Sequence, residues 1–98
     1  MPCAPAAENF QAFYAATSAP ALELTVIGAD HMDWVDDPNC SLCGLCSPGT
    51  ADAQLARTTS RRLTVAWMRR YLLADTAMDT WLDQPPELAT SGVSVERK

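Results

Sequence analysis

The only histidine of the chain, His31, lies in GADHMDWVDD, residues 28–37, beside Asp30, Asp33, Asp36 and Asp37. An imidazole titrates at about pH 6.5, so it can both take up and release a proton close to neutrality and suits general acid–base work. The carboxylates could orient such a ring or hold a hard cation, but the D-x-D-x-D-G spacing of a calcium loop is absent, and they read as solvated turn residues. A second cluster follows in CSLCGLC, where Cys40, Cys43 and Cys46 form C-x2-C-x2-C, with Cys3 far upstream. Thiolates at that spacing partly resemble an iron–sulfur or zinc loop that Cys3 or His31 could complete. The C-x3-C-P element of bacterial ferredoxins and the two separated pairs that zinc prefers are both missing. Disulfides among Cys3, Cys40, Cys43 and Cys46 are therefore preferred over metal, and four cysteines leave three connectivities open. No cofactor is expected.

With 98 residues, 48% of them hydrophobic, the chain suits one small domain with a thin core. Twelve acidic against seven basic residues give a net charge of -5 with no long run of either sign. Nucleic acid and anionic membranes are poor partners for such a surface. No apolar run reaches the roughly 20 residues of a membrane helix, and MPCAPAAENF lacks the basic and apolar regions of a signal peptide. The compartment stays open, although the cysteine content fits a secreted or periplasmic parent.

The elements that would position these residues follow from periodicity. Pro5 suits the first turn of a helix running to about Ala16, with Phe10, Phe13 and Tyr14 forming an apolar stripe. Leu22, Leu24 and Val26 alternate with Ala21, Glu23 and Thr25 before Ile27, the period of a strand, and Gly28 permits a sharp exit. Residues 33–50 carry loop chemistry, long for a domain of this size and suited to cross-linking by cysteine. A helix then runs from Thr50 or Asp52 to about Leu73, and its wide apolar surface calls for neighbours on two sides. Arg57, Arg61, Arg62, Arg69 and Arg70 give it a solvated basic face on which Arg61 or Arg62 could pair with carboxylates. DTAMDTWLD adds a short turn that packs Met78, Trp81 and Leu82, and everything from Pro85 onward reads as a frayed, flexible tail, residues 85–98. The order is helix, strand, long loop, long helix. One strand cannot satisfy its own backbone, so the chain reads as an α/β fragment that needs a sheet from elsewhere.

In that order, CAPAAENFQAFYAA, LELTVIGADHMDWVDD and RRLTVAWMRRYLLAD resemble the C-terminal portion of chlorophyllase-like and dienelactone-hydrolase-like α/β-hydrolases, over about residues 3–83. The resemblance implies that residues 1–84 are the C-terminal part of an α/β-hydrolase domain. It matches Leu22 to Ile27 with the last core strand, His31 with the catalytic histidine on the following loop, and Arg61 to Ala74 with the closing helix. The parent would be a serine hydrolase acting on carboxylic esters. The G-x-S-x-G elbow is absent, and the family's acid would fall at or before the first residues. The isolated chain is therefore expected to be inactive, because one member of a triad cannot activate an absent hydroxyl. Its partners would be the missing N-terminal part, with the ester as substrate of the complete enzyme, or a copy of itself in a homodimer. Two other readings stand beside this one: a small cysteine-rich metal-binding or redox module centred on Cys40, Cys43 and Cys46, and an interaction protein that shares its strand.

Overall fold

A computed structural model describes residues 5–35, 43–46, 48–89 and 92–98, with the side chains of His31 and Cys43 outside that description. Five elements organise it: helix α1 (Phe10–Ala16), strand β1 (Leu22–Val26), helix α2 (Ala53–Leu72), the short helix α3 (Met78–Asp83) and strand β2 (Val93–Arg97). Single 3-10 turns cover Ala6–Glu8, His31–Trp34, Cys43–Leu45 and Pro86–Ala89. The expected first helix is split at Asn9, whose φ of -124° and ψ of -109° leave helical space.

The expected frayed tail is corrected. Val93–Arg97 pairs antiparallel with β1, setting Leu22 opposite Arg97, Leu24 opposite Val95 and Val26 opposite Val93. β1 is therefore not alone, and the sheet has the order β1-β2. Val93, Val95 and Arg97 alternate with exposed Ser94 and Glu96, a period of two that five residues express faintly.

One sheet face carries Leu22, Leu24 and Val95 onto the core residues Leu63, Ala66 and Leu82, with Trp67 and Met78 around them. Burying one leucine of this kind contributes about 1.5–3 kcal/mol, and Leu82 is fully enclosed. The other face is polar: Glu23 lies opposite Glu96 and Thr25 opposite Ser94. Arg97 staples β2 to both helices, donating to Asp79 (2.6 Å), Asp83 (2.9 Å) and the Tyr71 hydroxyl (3.1 Å). These contacts raise the Arg97 pKa, the Tyr71 hydrogen bond first, so the guanidinium stays charged.

α2 starts at Asp52, whose carboxylate accepts the Gln54 N–H at 2.9 Å, and ends before Ala74 at φ 54°, a left-handed turn for the chain. Its stripe Ala56, Thr59, Leu63 and Ala66 is buried, whereas Val65 and Leu72 are 58% and 75% exposed. Only one of the two sides expected to be covered is packed among the described residues. Arg62 pairs with the buried Glu87 at 3.0 Å and Arg69 with Asp75 at 3.0 Å, so part of the basic face is used rather than merely solvated.

Candidate functional site

The candidate site is the loop that leaves the C-terminal end of β1. Gly28 turns at φ 82°, a conformation that glycine adopts without a Cβ penalty, and its carbonyl accepts the N–H groups of Thr50 (2.8 Å) and Ala51 (3.0 Å). That pulls the far end of the long loop against the strand exit. Gly49 fills the remaining space, since a Cβ there would run into the Gly28 carbonyl oxygen.

Asp30 holds the turn that follows. Its carboxylate accepts from Met32 N–H at 2.7 Å and from Gly49 N–H at 2.7 Å, while Asp33 accepts from Asp30 N–H at 2.9 Å. Asp30 and Asp33 thus form a reciprocal capping box around the 3-10 turn His31–Trp34. The reading of these two aspartates as solvated turn residues is corrected: both are partly buried and bind backbone. Asp36 and Asp37 lie outside the described residues.

Two contacts tie the turn to α2. The Trp34 indole N–H donates to Ser60 Oγ at 2.9 Å, and Arg57 donates to the Asp33 carbonyl at 3.2 Å. The backbone of His31 opens the turn, one residue past its N-cap and beyond the C-terminal end of β1. None of this machinery was foreseen beyond the glycine exit. The D-x-x-D spacing of Asp30 and Asp33 is a capping-box pattern and was the available signal.

Of the cysteines, Cys3 and Cys40 lie outside the described residues. Cys46 is disulfide-bonded. No group of three or more metal-ligating side chains occurs among the described residues, and none of their helices is long and apolar enough to cross a membrane.

Tyr14 lies near the polar sheet face, where partial burial, then the carboxylates of Glu96 and Glu23, raise its phenol pKa. Lys98 sits 4.5 Å from the centre of that ring and donates to the Tyr14 carbonyl at 2.6 Å. These contacts close the chain end over α1.

Comparison with protein-family models, curated proteins and solved structures returns no match.

Proposed function

We propose that this chain is the C-terminal segment of a serine hydrolase acting on carboxylic esters, and that His31 is its proton-transfer residue. The observation that carries the reading is the strand exit: β1, the Gly28 turn and the Asp30 clamp hold position 31 at the C-terminal end of the strand, and α2 then returns against the sheet. A loop of solvated polar residues would leave that position loose; here two glycines and a capping box define its backbone.

In the complete enzyme His31 takes the proton from the serine hydroxyl as its oxygen attacks the ester carbonyl, then delivers it to the departing alkoxide. Water repeats the sequence on the acyl-enzyme. Serine, acid and oxyanion donors come from outside these residues, so the segment alone hydrolyses nothing.

The test uses the native polypeptide that carries this sequence, isolated with an antibody against α2. It should react with a fluorophosphonate at a serine outside residues 1–98, and His31→Ala should abolish turnover of p-nitrophenyl esters without changing its thermal unfolding. A native species of 98 residues that neither labels nor associates with a labelled protein overturns the reading, as does full turnover by the His31→Ala protein.

A further inference from the structure

The ladder between β1 and β2 determines what the other edge of β1 presents. Ala21 exchanges both backbone hydrogen bonds with Lys98 at 2.9 Å, and Ile27 N–H donates to Gly92 at 2.7 Å. Alternation therefore turns the backbone groups of 21, 23, 25 and 27 toward β2 and those of Leu22, Leu24 and Val26 away from it. The Val26 carbonyl accepts from Ala29 N–H, whereas the N–H and C=O groups of Leu22 and Leu24 have no partner among the described residues. This edge is also lined by apolar surface. On the α2 side a hollow of about 360 Å³ is lined by Leu63 and Trp67, and on the α1 side one of about 400 Å³ is lined by Phe10, Phe13, Pro20 and Ala21.

We propose that β1 pairs with β1 of a second copy of this chain, antiparallel about a two-fold axis at Leu24. Three registers deserve comparison. Centring on Glu23 sets that carboxylate against itself, which is unfavourable for directly opposed strand residues. A centre at Thr25 sets Glu23 against Ile27, a charge against an apolar side chain. Centring on Leu24 sets Glu23 opposite Thr25, Leu22 opposite Val26 and Ala21 opposite Ile27, and it joins the outward-facing backbone groups of both strands.

That third register has a further consequence. Ile27 is 64% exposed and by alternation shares the sheet face of Glu23 and Thr25. Opposite Ala21 of the second copy, it enters the hollow bounded by Phe10, Phe13 and Pro20, where Phe13 is itself 63% exposed. Knob and hollow belong to one molecule, so the two-fold makes the contact twice. The product is a four-stranded sheet, past the size at which sheets become independently stable. The inference does not rest on the hydrolase reading: a strand supplied by a complete enzyme would compete for the same edge, and the pairing is a property of the 98-residue chain.

Light scattering on the eluting chain should give twice the mass of one copy, with slowed amide exchange at Leu22 and Leu24 as concentration rises. Ile27→Asp, on an exposed side chain, should leave the far-ultraviolet spectrum unchanged and give a monomer. A chain synthesised with an N-methyl group on Leu24 should also be monomeric while keeping its bonds to β2. Thr25→Lys should tighten the dimer roughly five-fold by facing Glu23 with a cation on both sides of the axis, and Thr25→Glu should loosen it by a similar factor. A wild-type monomer up to its solubility limit overturns the proposal. So does a dimer that ignores Ile27→Asp and the sign of charge at position 25, which would place the contact elsewhere.

Discussion

The two edges of β1 are made by the same five residues and end in opposite states. Toward β2, every second residue hydrogen-bonds a segment some seventy positions away, and Arg97 anchors that segment to Asp79 and Asp83. On the other side the backbone groups of Leu22 and Leu24, between apolar hollows, have no partner among the described residues. The difference does not lie in strand propensity, which both edges share. It lies in whether another part of the chain can be held alongside long enough to offset the entropy of ordering it.

Breaking the filled edge outright has the largest expected effect. Deleting residues 92–98 removes the ladder, the burial of Val93 and the Arg97 contacts together, and should abolish the cooperative thermal transition seen by circular dichroism. A preserved transition would restore the reading of this segment as a frayed tail.

Leu82→Ala attacks the same edge from below, because Leu82 is fully buried in the cluster that Val95 joins. Denaturant unfolding should show a loss of about 2–5 kcal/mol. Away from both edges, Asp30→Ala leaves the N–H groups of Met32 and Gly49 without their acceptor. It should cost about 1–3 kcal/mol and speed exchange at those two amides while leaving the mass of the assembly unchanged.

Acid sharpens the comparison. Hydrogen bonds from Arg97, then Arg70, hold the Asp79 carboxyl below its ordinary pKa of 3.8. A depressed folded-state pKa contributes stability that is fully present above the ordinary value and disappears as pH falls through the lowered one. The midpoint of unfolding should therefore decline below about pH 4, and Asp79→Asn should flatten that acid limb. A wild-type profile level to pH 2 would remove Asp79 from the staple. The smallest effect is expected for Glu96→Lys, which replaces the like-charge pair Glu23–Glu96 with an opposite one and should stabilise the β1–β2 pair by about 0.2–1 kcal/mol.

Much of the helix and strand layout was legible. Alternation across residues 22–26 and the apolar spacing of residues 63–72 each occupy enough consecutive positions for period to speak, and Gly28 marked its turn. VSVER was not legible as a strand, because five residues carrying two valines between charged and small polar neighbours express a period too briefly to distinguish from a tail. Its partner lies in β1, far away in the chain. At the candidate site the lone histidine stood out by type, whereas the role of Asp30 depended on Gly49 N–H arriving nineteen residues later.

The amino-acid order by itself determined the elements whose stabilising contacts are local: the helical turns of α2, the extended stretch at β1 and the glycine exit. Tertiary structure alone decided which edge of β1 is closed, which aspartates bind backbone and which arginines are paired. Those outcomes require groups distant in sequence to meet, and their free energies depend on burial and geometry that no local spacing encodes.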